Sequence, residues 1–475
     1  MSSRILLYVW TISLGGLVIG IDSGIVASVL SQKNFKTFMY PPGTPNTTSL
    51  ISAIVSMAAV GGAIGNLISG LFLEKLGRKW TLFISTFFTI VGSVLQTAAN
   101  GVALMIVGRT IAGIALGMLR PTVPVYIAEI APATQRGRLI GIFGLLISFG
   151  YVVAGWVGYS CSFAAGDVTW RLALALQIPA AAILMGLSVF LPESPRWLAQ
   201  KERYEDMDMS MRNIYSNEDE DFFIRSRFEI CEQIRLEAVQ RTNRTFGYAL
   251  IELFNKRNIK RTAVAIMVLQ LGCLSGTLVI QQYQSILYAS LGFTGQKALL
   301  ITACYSFMGF TARVGCLALA IALSLLMALS RFYGDGHNEQ GAEAGVAFVF
   351  IFSALYALFF NSTLHTIPPE YFTVHLRGYG LAVGDFFQGV SNIWLSFVTP
   401  HAFDAIQWRY YSVFIACLVA LGVFYMVALK ETNQMTLEST AALFGDETVH
   451  GAKDMMEHTE EAERGIEMGD KDTTK

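Results

Sequence analysis

The chain has 475 residues, 53% of them hydrophobic and only 15% charged, with a mean hydropathy of +0.49. Soluble globular chains carry about a quarter charged residues, so this one has too few to cover a surface facing water, which excludes a soluble enzyme, a disordered scaffold and a secreted disulfide module. The formal net charge of −1 supplies no global field for nucleic acid.

A transmembrane helix needs roughly 20 mostly apolar residues. Runs that meet this lie near 5–30, 50–73, 81–99, 102–128, 139–160 and 172–191, and, after a charged stretch, near 262–290, 298–330, 344–366, 378–399 and 409–429. The first run is too long for a secretory signal and lacks a small-residue cleavage site, so it is expected to stay as a span. Lys75, Arg78 and Lys79 follow span two, Arg136 and Arg138 follow span four, and Arg196, Lys201 and Arg203 follow span six, whereas the turns near Asn100 and Cys161 carry almost no base. The positive-inside rule therefore puts both termini and the even-numbered turns in the cytosol. The loop 31–49 then faces out, and Asn46-Thr47-Thr48 within it has the form of a glycosylation sequon.

Segment 199–260 is dense in charge, and apolar residues recur at helical spacing over 223–254, which predicts a cytosolic linker with short amphipathic helices. Residues 446–475 are polar and acid-rich without aromatics, a disordered cytosolic tail by composition. The six cysteines are scattered with no CxxC pair, so they read as reduced packing residues, with no metal set. No GxxxxGK[ST] run supports ATP-driven transport, no nucleophile constellation supports an enzyme, and no cofactor is implied.

An internal repeat organises these spans. Glu129 is followed seven residues later by Arg136-Gly137, and Glu193 comes after span six; Glu370 is followed seven residues later by Arg377-Gly378, and Glu431 comes after the last span. Two halves of six helices, residues 1–198 and 261–445, are the arithmetic of a duplicated transporter. The second half is short around 305–320. The run 298–330 is too long for one upright crossing and too short for two at roughly 20 residues each. The repeat favours a stunted span eight near 297–311 and a span nine near 313–331. Fifteen residues reach only ~22 Å of a ~30 Å hydrocarbon core. A genuine variant and a faulty gene model account equally for the shortening.

Several polar residues sit where lipid or a bundle interior is expected. Asp22 lies deep in span one, and an ionised acid there costs several kcal/mol unless paired. Arg109 in span four is its natural partner. Arg120 follows Arg109 by eleven residues, ~20° around and ~16 Å along one helix, on a stripe with Gly113 and Gly117. It is either a second cavity-facing cation, favouring an anionic or sugar-acid substrate, or a partner of a cytosolic-side acid or of backbone carbonyls. Asp385 in span eleven is a second proton site, a substrate ligand, or a polar group satisfied by a neighbouring helix. His365 titrates near neutral pH or packs by hydrogen bonding. Gln281, Gln282, Tyr283 and Gln284 form a polar cluster that should face the bundle interior.

The motifs together resemble the sugar porters of the major facilitator superfamily, especially the fungal branch. They are Gly20-Ile-Asp22-Ser-Gly24, Glu74-Lys-Leu-Gly77-Arg78-Lys79, Gly108-Arg109 with Gly113 and Gly117, and Pro124-Val-Tyr126-Ile-Ala-Glu129 with Arg136-Gly137. Trp170-Arg171, the run Pro192-Glu193-Ser194-Pro195-Arg196-Trp197, and Glu431-Thr432 with Leu437-Glu438 complete the set, and the resemblance covers about 5–445. It implies an all-α membrane protein of the major facilitator fold that moves a sugar or related polyol by alternating access. In proton-coupled members the acid matching Asp22 accepts the proton and the Arg matching Arg109 sets its affinity; a static ion pair fastening spans one and four is the alternative. The resemblance also implies that Glu74, Arg78, Glu129, Arg136, Glu193, Arg196, Glu370, Arg377 and Glu431 form charge networks that hold the outward-facing state.

The sugar-contact positions depart from the family's pattern. Gly144 stands for a Gln in span five, Gly272-Cys273 and Leu278 replace the amides of span seven, and Gly389 replaces a Trp, while Gln388 is retained with Asn392 four residues on. The candidate substrate-facing residues are Tyr151, Gln282, Tyr283, His365, Asp385, Gln388 and Asn392. Three functions remain open: a proton-coupled carrier of a sugar-like solute in the plasma membrane, a transport-impaired nutrient sensor, and a carrier of an anionic or sugar-acid substrate.

Overall fold

The computed structural model describes residues 3–41, 47–132, 135–216, 220–240, 246–256, 258–277, 279–280, 282, 316–333, 348–349, 351–352, 367–369, 371–372 and 374–428. All regular elements among them are helices. The first half runs α1 (Ser3–Ser31), α2 (Lys33–Met39), α3 (Thr47–Leu76), α4 (Arg78–Thr97), α5 (Val102–Ile130), α6 (Arg136–Cys161), α7 (Val168–Ala175) and α8 (Gln177–Ser188). The sequence pattern gives span six as one helix; it is two, α7 and α8, broken at Leu176. Pro179 is the cause, because it has no N–H to offer the carbonyl four residues back. Among the described residues six candidate spans are long and apolar enough to cross a membrane, all within residues 4–188, the sixth being α7 and α8 taken together as Val168–Ser188.

α4 shows why these helices suit lipid rather than water. Thr81, Ser85, Thr89, Ser93 and Gln96 recur every three or four residues and are buried, while Phe87, Phe88 and Val94 are exposed. Water is absent from a bilayer core, so polar groups turn inward and apolar ones outward. The hydroxyls find partners within their own helix: Thr81 Oγ1 donates to Gly77 O at 2.6 Å, Ser85 Oγ to Thr81 O at 2.6 Å and Thr89 Oγ1 to Ser85 O at 2.9 Å. α5 packs on both α3 and α4. At the α3–α5 crossing a Cβ on Gly113 or Gly117 would strike the Ala58 or Gly62 carbonyl, so only glycine lets the backbones meet.

Short helices follow the first half: α9 (Pro195–Gln200), α10 (Tyr204–Ile214), α11 (Glu220–Gln240) and α12 (Phe246–Leu253). Ser194 caps α9, accepting from Trp197 N at 3.3 Å, with Pro195 in its first turn. Trp197, Leu198, Met207, Met211 and Ile230 pack as a small apolar cluster among α9, α10 and α11. The cluster braces the Lys/Arg-rich end of the first half: Trp197 Nε1 donates to Glu74 O at 3.0 Å and Tyr215 Oη to Ile130 O at 3.2 Å.

The second half contributes α13 (Ile259–Leu274), α14 (Cys316–Tyr333), α15 (Val374–Ile406) and α16 (Tyr411–Ala428). Its packing repeats that of the first. α1 packs on α6 and α8, and α13 packs on α15 and α16; α4 packs on α8, and α14 packs on α16. By this correspondence α14 occupies the place of span nine. The stretch 297–311, where a stunted span eight is expected, lies outside the described residues, as do Asn46, Tyr283, Arg313, His365, Glu370, Glu431 and the tail 446–475. Among the described residues the two halves meet mainly along α3 and α15. Gly70 faces Tyr379 and Ala382, Gly389 faces Ala63, and Asn66 Nδ2 donates to Asp385 O at 2.7 Å between them.

Candidate functional site

A cavity opens between the halves, with about 660 Å³ of empty space that includes its opening to solvent. Its polar lining comes from Asp22 and Ser23 of α1, Asn66 of α3, Arg109 and Arg120 of α5, Tyr151 of α6, Gln282, and Asn392 of α15. Arg109 Nη1 lies 3.2 Å from Asp22 Oδ2, with the two residues 5% and 2% exposed. The ion pair between these two charges, each set in an apolar span, is therefore formed. It is not saturated: Asp22 Oδ1 and Arg109 Nε are buried with no partner in the protein. A buried ion pair with open valences is held more weakly than one fully hydrogen-bonded, because desolvation is less completely repaid.

Arg120 donates from Nη1 to Gln388 Oε1 at 3.5 Å. Its partner is thus an amide of the opposite half rather than an acid or a carbonyl at the helix end. Gln388 is oriented from behind, with Nε2 donating to Leu269 O at 2.8 Å, while its backbone carbonyl accepts from Cys273 Sγ at 3.4 Å. Gln282 Nε2 lies 3.4 Å from Asn392 Oδ1, and Ser396 Oγ lies 2.8 Å from Gln282 Oε1 and 3.1 Å from Asn392 Oδ1. Tyr151 and Ser23 line the same wall. Gln388 and Asp385 are not among the lining residues; Asp385 is 2% exposed with Oδ1 unpartnered, one layer behind the wall.

The cavity is shut at the Lys/Arg-rich end. Glu129, at the end of α5, accepts from Arg78 Nη2 at 2.7 Å, from Ser194 Oγ, and from Arg377 Nη1 at 3.4 Å. Arg78, Glu129 and Arg377 are all 3% exposed or less, and the last contact crosses from one half to the other. Arg377 is aimed by its own half, where Nε donates to Pro369 O at 3.0 Å; Arg136 makes the equivalent bond to Ala128 O at 3.2 Å. Tyr126 Oη donates to Pro192 O close by.

Glu193 caps α4 from a distance. α4 starts after Gly77, which has φ +89 and no side chain to satisfy the first N–H groups of the helix. Glu193 Oε1 accepts from Arg78 N at 2.8 Å and Ser194 N at 2.9 Å, and Oε2 lies 3.2 Å from Lys79 N. Burial pushes the Glu193 carboxyl above its ordinary range, and these hydrogen bonds pull back against it. Nearby, Glu74 pairs with Lys201 at 3.6 Å, and Arg196 of α9 is 9% exposed.

A family model described as sugar (and other) transporter matches residues 8–444. The chain belongs to the sugar transporter family. The MFS-type transporter criB of Aspergillus cristatus is 28% identical over 92% of this chain and 93% of its own length. The high-affinity glucose transporter of Kluyveromyces lactis is 27% identical, covering 91% and 84%, and the quinate permease of Neurospora africana 26%, covering 94% and 89%. Among solved structures, the proton:xylose symporter XylE bound to 6-bromo-6-deoxy-D-glucose superposes with a TM-score of 0.81 at 22% identity, covering 94% of this chain and 100% of that one. These likenesses give the fold: an all-α, multi-pass membrane protein of the major facilitator type, whose relatives are transporters and not enzymes.

For this sugar transporter family member, sequence reasoning missed Asn66, Ser23, Ser194 and Ser396. Asn66 carries a usable signal, a lone amide in a Gly-rich apolar span, where an unpaired polar group is costly. Ser194 sits inside a quoted motif but has no charge to single it out. Ser396 becomes visible only through its register with Gln282 and Asn392.

Proposed function

We propose that this chain moves a small polyhydroxylated solute across the plasma membrane by alternating access of two six-helix halves, driven by symport of a proton held at Asp22. Residues 1–198 and 261–445 form the halves, 199–260 the cytosolic linker and 446–475 a cytosolic tail, with both termini inside. The observation that carries this reading is the buried, unsaturated Asp22–Arg109 pair in the wall of a cavity between the halves. An acid so placed exchanges a proton for its arginine when the cavity changes sides. The arrangement has the cavity closed at the end assigned to the cytosol, where Glu129 ties Arg78 to Arg377.

Tyr151, Gln282 and Asn392 offer donors and acceptors to solute hydroxyls. Gln388 acts by orienting Arg120, and Asp385 by packing behind the wall. The curated relatives include proteins named glucose transporters and quinate permeases, which supports a sugar-like solute. A pH gradient of one unit sustains about tenfold accumulation of one solute per proton. Asp22→Asn tests the reading: it should abolish uphill accumulation of labelled hexose in transporter-deficient cells while leaving exchange down a gradient. Accumulation equal to wild type takes Asp22 out of the proton path.

A further inference from the structure

Among the described residues, Arg120 is the one charged lining residue that proton coupling leaves without a task. We infer that the solute carries a carboxylate and that Arg120 grips it, so that the cavity takes a polyhydroxylated monocarboxylate, a sugar acid, in preference to a neutral sugar. This rests on the transport reading above and names its cargo.

The charges of the cavity carry the argument. Among the described residues its lining holds three, on Asp22, Arg109 and Arg120. The first two offset each other at 3.2 Å. Arg120 is left over. Among the described residues no carboxylate lies within 4 Å of it, and its side-chain hydrogen bond goes to a neutral amide, Gln388 Oε1, at 3.5 Å. Asp385 feels the charge of Arg120 but lies behind the lining and makes no ion pair with it. A guanidinium inside a membrane-spanning helix is costly when uncompensated, and its planar fork matches a carboxylate bidentately.

Around Arg120 stand groups suited to a hydroxylated body. Asn66 Oδ1, on a side chain 3% exposed, has no partner in the protein, and neither has Asp22 Oδ1 nor Arg109 Nε. All three residues line the same cavity with Tyr151, Gln282 and Asn392. Open acceptors and a donor beside an unpaired cation describe a ligand with hydroxyls at one end and an anion at the other. Such a cargo also fixes the electrical character of transport: a proton and a monoanion crossing together move no net charge, whereas a proton and a neutral sugar move one.

The test is uptake of labelled D-gluconate, D-glucuronate and D-glucose at fixed pH into liposomes holding the full chain as wild type, Arg120→Gln or Arg120→Lys. The expected result is a lower KM for at least one acid than for D-glucose, uptake of the acid indifferent to an imposed membrane potential, and a roughly ten- to hundredfold rise in its KM in Arg120→Gln. D-glucose KM should rise by less than the KM of the acid in Arg120→Gln, and Arg120→Lys should fall between. Thermal stabilisation of the purified wild type by the same acid, absent in Arg120→Gln, gives a readout independent of flux. D-glucose uptake that neither acid follows or competes with overturns the inference while leaving the transport reading intact, as does an equal shift of all KM values in Arg120→Gln. If inserted wild-type protein moves none of the three, the transport reading fails and takes this one with it.

Discussion

Glu129→Gln probes the closed end of the cavity. In the closed arrangement the Glu129 carboxylate faces two guanidiniums, Arg78 at 2.7 Å and Arg377 at 3.4 Å, all buried. Arg78 belongs to the same half and travels with Glu129, so that contact survives when the halves rock apart. Arg377 belongs to the other half, so its contact exists only while the end is shut. The differential lost on substitution is therefore the Arg377 interaction, and a hydrogen bond to a charged group contributes about 1.5–3 kcal/mol. The balance should shift roughly 10- to 150-fold toward the arrangement open at that end. Hydrogen–deuterium exchange reads this directly: the ends of α5 (Val125–Ile130) and the start of α15 (Leu376–Ala382) should lose protection while the α1–α6 contact keeps its own. Unchanged protection at those two segments refutes the reasoning. Loss spread evenly over the bundle refutes it too, because it means unfolding rather than opening.

Two further consequences concern the same end. Gly77→Ala places a Cβ 2.8 Å from Glu193 Cδ at a φ of +89, a conformation costing about 1–3 kcal/mol for a residue with a side chain. Exchange at Arg78–Leu82 should rise because the carboxylate cap is displaced, and normal protection there would show that Glu193 does not cap α4. Glu193 also titrates. Burial raises its carboxyl above the ordinary 4.5, so the folded form holds the proton more tightly than the unfolded chain. Its stabilising contribution is complete below about 4.5 and is lost as pH rises through the raised value. Thermal unfolding of wild type in detergent should show stability falling over that window, and Glu193→Gln should flatten the slope; an unaltered slope in Glu193→Gln assigns the titration elsewhere.

The parts of this molecule legible in the sequence are those where composition and local spacing suffice. Asp22 stands out because an acid in an apolar run is costly, and Arg109 because it is a base in another such run. The duplicated Glu–Arg–Gly spacing makes the repeat visible, and the observed helix pairings carry it into three dimensions. What local reading cannot reach is contact between distant segments. Nothing near Arg120 announces Gln388, 268 residues along the chain, and nothing in Gly77 announces that Glu193 replaces its missing cap. The repeat places Glu129 and Arg377 at the same end but leaves open which acid meets which base. The same reading takes span six as continuous because its hydropathy is continuous; hydropathy does not register the single hydrogen bond that Pro179 removes.

The claim on which the account turns is that solute entry brings a proton through Asp22. A pH-sensitive dye trapped inside liposomes holding the purified chain, followed while labelled solute is added outside, tests it without a cell. The account predicts that the lumen acidifies in step with solute entry in wild type and stays level in Asp22→Asn. Solute entry into wild-type liposomes with no change in lumenal pH contradicts it.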